Sequence, residues 1–160
     1  MDNRVIAAYQ QLGFKIVVDP SVNYSGYFDA RSRSITMKQI DDSVYHELGH
    51  FLAFIAGNAD KTASFQSIFA TEKANVTAFN KAYVTQNASE YFAESVKDYI
   101  LNNASLKSTR PQTYAAVQNA LNQITDAGTY IAFDHWENSD LIYVEESGYV
   151  STENSCNEKP

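Results

Sequence analysis

Residues 45–57, which read YHELGHFLAFIAG, constrain the fold more than any other part of the chain. Their apolar content predicts a buried helix that ends near residue 57. Positions four apart share one face of a helix, so His46 and His50 can direct two imidazoles at one metal ion. Glu47 lies at the edge of that face, where it can reach a water molecule bound to the ion. The pattern predicts two metal ligands and a base on one helix.

The alternative interpretation is a helix that carries two surface histidines and a glutamate by chance. The chain has three histidines, and two of them lie in this stretch. A buried Glu47 would be costly without a metal or hydrogen-bond partners. Gly49 lowers helix stability relative to alanine, so we expect another backbone to pass close to it. Both arguments favour the metal site.

Composition limits the class of partner. The 160 residues suit one domain, and the net charge of −7 argues against nucleic acid or an anionic membrane as a partner. No apolar run is long enough to span a bilayer. The single cysteine, Cys156, excludes an internal disulfide framework. We therefore expect neither nucleic acid nor a membrane as a partner. A monomer is a separate expectation.

Hydrophobic periodicity predicts an α+β fold with a small N-terminal mixed sheet, the active-site helix and a mainly helical C-terminal half. Asp41, Asp42 and Ser43 are candidate caps of the active-site helix, and Asn87 is the candidate cap of a later one. The predicted elements are a helix at 4–12, a strand at 14–18, a hairpin with arms at 24–29 and 34–38, helices at 62–75, 88–101 and 111–128, an irregular connection at 76–86, and strand-like runs at 130–133 and 141–144. The predicted domain boundaries are 1–128 for a single metallopeptidase domain, 129–150 for a strand-like C-terminal extension and 151–160 for a disordered tail.

A catalytic zinc site needs a third protein ligand. His135 is far along the chain beside a tryptophan, and a surface or aromatic-packed position suits it better than a ligand role. Glu90 and Glu94 share one face of the helix predicted at 88–101. One carboxylate can bind the metal while the other accepts a hydrogen bond from a ligand imidazole. The alternative is two solvated glutamates on an outer face.

The chain from residue 26 to residue 128 resembles the protease domain of the anthrax lethal factor family, which includes the secreted bacterial Pro-Pro endopeptidases. The resemblance rests on HELGH at residues 46–50, Tyr83, and EYFAE at residues 90–94, in the family's order. It implies a zincin-like fold with the gluzincin arrangement. The implied roles are His46, His50 and Glu90 as ligands of one Zn²⁺ ion, Glu47 as catalytic acid and base, Tyr83 as stabiliser of the oxyanion, and Glu94 as support for a ligand histidine.

The resemblance also bears on the substrate. Residues 26–29 would form the edge strand along which an extended substrate pairs. The Pro-Pro endopeptidases use a tryptophan before the motif helix, whereas the only tryptophan here, Trp136, follows the resembling region. Ser89 stands where a specificity-tuning residue is expected. The cleavage motif is therefore not implied, and a proline-containing sequence is one candidate.

These observations predict a zinc-dependent endopeptidase that hydrolyses peptide bonds of an extended polypeptide. A secreted bacterial hydrolase is expected, although residues 1–4 show no signal-peptide pattern, and a cytosolic protein is the alternative location. The expected partner is a protein or peptide substrate. The alternative function is a catalytically silent or latent lethal factor-like binding module of a toxin or surface protein.

Overall fold

The computed structural model describes residues 1–124, which form an α+β fold that is mostly helical, as the sequence predicts. The described part contains seven α-helices and one sheet of three strands. The elements are α1 (Asn3–Gln11), β1 (Lys15–Val18), β2 (Gly26–Asp29), β3 (Ser34–Met37), α2 (Ser43–Ile55), α3 (Ala63–Glu72), α4 (Lys81–Val84), α5 (Ala88–Leu101), α6 (Asn103–Thr109) and α7 (Pro111–Asn122), with 3₁₀ turns at Ala59–Lys61 and Lys73–Asn75.

The sheet is small and mixed. Its strand order is β1-β3-β2, with β1 parallel to β3 and β2 antiparallel to β3. The antiparallel pair is the predicted hairpin, and β2 is an edge strand. Along β2 and β3 the side chains alternate between buried and partly buried, so Phe28, Ile35 and Met37 face the core. The sheet thus covers α2 on one side.

α2 lies at the centre of the described fold, with nearly every residue buried. An aromatic cluster packs it against α1 and the sheet. The Phe51 ring lies 5.0 Å from the rings of both Tyr9 and Phe14, and Phe14 stacks on Phe28 at 5.9 Å. Aromatic pairs at such distances contribute beyond the apolar area they bury. This packing fixes the helix that carries the predicted metal ligands.

Of the three cap candidates predicted at the start of α2, Asp41 supplies the side-chain hydrogen bond. Asp42 occupies the N-cap position but has helical dihedral angles, and its side chain makes no capping hydrogen bond. Asp41 Oδ1 instead accepts a hydrogen bond from the Ser43 N–H at 2.9 Å.

Other elements after α2 also depart from the prediction, in two boundaries and in two helices that were not predicted. α3 ends at Glu72, after which the chain tightens into a 3₁₀ turn. The connection predicted to be irregular contains the short helix α4, which is held by its neighbours and not by its own length. α6 was not predicted, because its sequence has no strong apolar periodicity. Leu106 is its one buried residue. α7 begins at Pro111 as predicted, but it ends at Asn122, six residues before the predicted end at 128.

A buried polar network ties α3, α5 and α7 together behind the ligand helices. The Glu72 carboxylate accepts hydrogen bonds from the backbone N–H groups of Gln112 and Thr113, at 3.0 and 2.8 Å, and from the Thr113 hydroxyl at 2.7 Å. Tyr91 Oη lies 2.6 Å from Thr113 Oγ1. Glu72 therefore satisfies the first N–H groups of α7 from another helix.

Several predictions fall on residues 125–160, outside the described residues. They are the strand-like runs at 130–133 and 141–144, the domain boundary at 128, the tail at 151–160, and the role of His135. Among the helices of residues 1–124, none is both long and apolar enough to cross a lipid bilayer.

Candidate active site

The two histidines of the motif lie one helical turn apart on α2, and both are fully buried. Their ring centroids are 5.0 Å apart. The expected neighbouring backbone is present, because a Cβ at Gly49 would lie 2.7 Å from the Cα of Ala93 in α5. Glycine at this position thus brings α5 directly against the ligand face of α2.

α5 presents Glu90 to both imidazoles. Asn87 caps the helix as predicted, since its Oδ1 accepts a hydrogen bond from the Glu90 N–H at 2.8 Å. Glu90 Oε2 lies 3.1 Å from His46 Nε2, and Glu90 Oε1 lies 3.5 Å from His50 Nε2. One ligand atom from each of these three buried side chains lies within 4.8 Å of the other two. The structure therefore brings together the three residues predicted as ligands.

Glu94 lies behind the first histidine. His46 Nδ1 donates a hydrogen bond to Glu94 Oε2 at 2.8 Å, while Nε2 of the same ring faces Glu90. A hydrogen bond at Nδ1 fixes the ring orientation and directs Nε2 toward the ligand cluster. This is the geometry expected of a residue that supports a metal-binding histidine.

The charges in the cluster stabilise one another. Burial lowers the pKa of His46, but hydrogen bonds to Glu90 and Glu94, together with nearby negative charge, outweigh it and raise the pKa to about 9. Burial raises the pKa of Glu90, but the charge interaction with His50 and the hydrogen bonds from both histidines bring it well below its usual value. In the metal-free protein His46 is thus a cation at neutral pH, beside an ionised Glu90.

Glu47 and Tyr83 border the ligand cluster. Glu47 is fully buried on α2 and lies against Gly26 of β2. Tyr83 is buried on α4, and its ring centroid lies 6.3 Å from that of His46. The local sequence around Tyr83 gave no helical signal, so only the resemblance pointed to it. Both side chains are therefore neighbours of His46, since Glu47 follows it on α2 and acts on its charge, and the Tyr83 ring lies near its ring.

Asp60 was missed by the sequence analysis. It lies in the 3₁₀ turn after α2, is fully buried, and accepts a hydrogen bond from the Ser89 hydroxyl. Ser89 immediately precedes Glu90, so this contact anchors the first turn of α5. A single aspartate in a polar turn has no periodic signal that would reveal such a contact. Ser89 is therefore engaged with the protein interior.

The donor set fits one divalent metal ion. Two imidazole nitrogens and one carboxylate oxygen are the ligands of a common class of catalytic zinc sites, which leave one position for water. All three side chains are at least 99% removed from solvent. Burying such a group of charges without an ion requires close mutual pairing, which the short contacts provide. The arrangement can therefore hold a metal beside Glu47, a potential base.

Comparison with known proteins agrees with the residue pattern. Residues 21–120 match the family described as "Anthrax toxin lethal factor, N- and C-terminal domain". Over an alignment of 78 positions, which covers 46% of this chain, the sequence is 41% identical to the Pro-Pro endopeptidase of Clostridioides difficile (strain 630). That alignment covers 34% of the relative, so the chain spans about a third of the length of this curated protein. Because the family match covers more than half of the sequence, the chain belongs to the anthrax lethal factor family.

Proposed function

We propose that this chain is a zinc-dependent endopeptidase that cleaves extended polypeptides. The observation that carries the proposal is the convergence of His46, His50 and Glu90 within 4.8 Å, with Glu47 on the same helix as the histidines. Two histidines and a glutamate are a ligand set of zinc peptidases. Membership of the lethal factor family and the Pro-Pro endopeptidase relative support peptide bonds as the substrate.

The edge strand β2 suits an extended substrate. β2 pairs on one side with β3 and is the last strand of the described sheet. Its outer edge can add a further strand by backbone hydrogen bonds, which is how many proteins bind extended peptides. The name of the relative supports a proline-containing sequence as a candidate substrate. We expect an extracellular protein as the target.

Each side chain of the site has a proposed task. A zinc ion at this site would supply Lewis acidity and lower the pKa of a water ligand to about 7. Glu47 would take the proton of the attacking water and deliver it to the leaving amine. Tyr83 would donate a hydrogen bond to the oxyanion. Glu94 would hold His46 in the tautomer that binds metal through Nε2.

Substitution of Glu47 by glutamine tests the proposal. The Glu47→Gln protein should bind one zinc ion per chain with the affinity of the original, because Glu47 is not a proposed ligand. Its turnover of a peptide library, read by mass spectrometry, should fall about 10² to 10⁴-fold, the contribution of a general acid/base. Unchanged turnover would exclude the role of Glu47. Absence of cleavage by the zinc-loaded original protein would favour the binding module.

A further inference from the structure

The backbone of Gly26 does not require glycine. Among the described glycines, Gly13 and Gly57 have φ values of 74° and 72°, in the left-handed region that favours glycine, but Gly26 does not. Gly26 begins β2 and pairs with Met37 of β3 in ordinary antiparallel register. Any amino acid could adopt this extended conformation. The reason for a glycine at this position must lie in the space around it.

That space is filled by the proposed catalytic carboxylate. A Cβ at position 26 would lie 2.8 Å from Glu47 Cγ, 3.0 Å from Glu47 Oε1 and 2.9 Å from Met37 Sδ. Non-bonded carbon atoms in good contact are about 3.5–4.0 Å apart, so a side chain at 26 would displace at least one neighbour. Met37 is flexible and can adjust near its end. Glu47 Cγ is bonded directly to Glu47 Cβ, close to the backbone of α2. It can therefore move only if the Glu47 carboxylate or the helix moves with it.

We propose that Gly26 is a positioning residue, whose missing side chain lets the Glu47 carboxylate lie against β2 at the place where it transfers protons. This inference rests on the proposed function of Glu47. The substrate is proposed to pair with the same strand. β2 would therefore fix the position of the Glu47 carboxylate relative to the substrate peptide bond. A shift of the carboxylate or of the peptide would increase the distance between them.

The central test compares Gly26→Ala with Glu47→Gln in the full chain loaded with zinc. A displacement of about 1 Å in a reacting group can cost about 10²-fold in rate, so we expect kcat of Gly26→Ala to fall by about that factor. The KM should change much less, and zinc content should remain at one ion per chain. Gly57→Ala is the matched control, because a Cβ there has no atom within 4 Å and meets only backbone strain. It should lower the unfolding temperature and leave kcat unchanged.

Two double variants identify the neighbour responsible. Met37→Val removes Sδ, and the loss of kcat caused by Gly26→Ala should persist in that background. Glu47→Ala removes Cγ and the carboxylate. In metal-free protein, Gly26→Ala should lower the unfolding temperature in the original background but much less in the Glu47→Ala background. This second readout requires no activity, so it applies even where Gly26→Ala is poorly folded.

The outcomes distinguish the proposed role of Gly26 from the proposed function of the site. Original kcat in Gly26→Ala, beside a large loss in Glu47→Gln, overturns the inference and leaves the proposed function in place. Original kcat in both variants overturns the proposed function itself. Two other outcomes would show that Glu47 is not the neighbour that requires glycine. One is recovery of kcat when Met37→Val is added to Gly26→Ala. The other is that Gly26→Ala lowers the unfolding temperature equally in the original and Glu47→Ala backgrounds.

Discussion

Gly49 of α2 lies against the backbone of Ala93 in α5, so closely that a Cβ at position 49 would stand 2.7 Å from both the Cα and the carbonyl oxygen of Ala93. Gly49 directly precedes His50, and Ala93 directly precedes Glu94. The contact therefore lies at the level of the candidate ligands. It sets the distance between the imidazoles of α2 and the carboxylates of α5.

Gly49→Ala should push these helices apart. Backbone atoms cannot yield as a flexible side chain can, so we expect a loss of about 1–3 kcal/mol in the free energy of unfolding, as for other overpacked cores. Zinc affinity should also fall, because Glu90 recedes from the histidines. Urea unfolding and zinc competition with a chelator measure the two effects. Gly57→Ala, which adds a methyl group to a strained but open position, should lower stability alone. Equal zinc affinity in both variants would contradict the prediction.

Glu94→Ala should weaken zinc binding without removing a ligand. Loss of a residue that orients a ligand histidine typically costs about 10 to 100-fold in metal affinity. Glu94→Gln should lose less, because its amide oxygen still accepts the hydrogen bond from His46 Nδ1. Lys97→Met is the control, since it removes only the 3.8 Å ion pair between Lys97 Nζ and Glu94 Oε1. It should leave zinc affinity unchanged, and a loss equal to that of Glu94→Ala would contradict the assignment.

Zinc binding should release a proton from His46. The pKa of about 9 in the metal-free protein means that Nε2 carries a proton at pH 7, and the metal must displace it. Zinc affinity should therefore rise with pH up to about 9 and level off above it. Calorimetric titration in buffers of different ionisation enthalpy counts the protons released. A titration at pH 7 that releases none would contradict the raised pKa.

The same shift predicts the stability of the metal-free protein. The pKa of His46 is higher in the folded chain than the ordinary value of 6.5, so the protonated form favours folding. This contribution is complete below pH 6.5 and is lost as pH rises through 9. Chemical unfolding of metal-free protein between pH 6 and 9 should show decreasing stability. Stability that rises over this range would contradict it.

The parts of the site that the sequence could predict depend on residues only a few positions apart in the chain. His46 and His50 share a helical face whatever the rest of the chain does, and Asn87 caps α5 through a contact three residues away. Glu90 and Glu94 could be paired with the histidines because zinc chemistry demands a third ligand and an orienting carboxylate. Periodicity and ligand chemistry left open that the two glutamates are solvated, and the family resemblance indicated Glu90 as the ligand and Glu94 as the support of a ligand histidine.

The parts that sequence reasoning missed depend on contacts between distant segments. Glu72 caps α7 from 40 residues away, and Asp60 anchors Ser89 from 29 residues away. α4 is too short to be recognised from periodicity, yet it places Tyr83 beside His46. Local propensity carries no information on such partners, because tertiary packing selects them.

Tyr83→Phe should reduce turnover more than metal content. The hydroxyl is proposed to stabilise the oxyanion, and loss of one such donor costs about 10² to 10³-fold in kcat. Zinc affinity should remain, because Tyr83 is not a proposed ligand. Tyr114→Phe is the matched control, on α7 and packed against the Tyr99 ring at 5.0 Å. It should retain full turnover, and a parallel loss of zinc in Tyr83→Phe would instead indicate a structural role.

Glu72→Ala should destabilise the fold without altering the chemistry. It removes a buried acceptor of three hydrogen bonds and the negative charge at the start of α7, and leaves two N–H groups and the Thr113 hydroxyl to find other partners. We expect a loss of at least about 1–3 kcal/mol in the free energy of unfolding, the cost of buried groups left unsatisfied. Glu72→Gln retains one acceptor oxygen, so its free energy of unfolding should lie between those of the original protein and Glu72→Ala. At 25 °C the folded, zinc-loaded variants should keep the original kcat, because the hydrogen bonds of Glu72 go to α7 and not to the ligand residues. A fall in kcat without a fall in stability would show that the network behind α5 acts on the site itself.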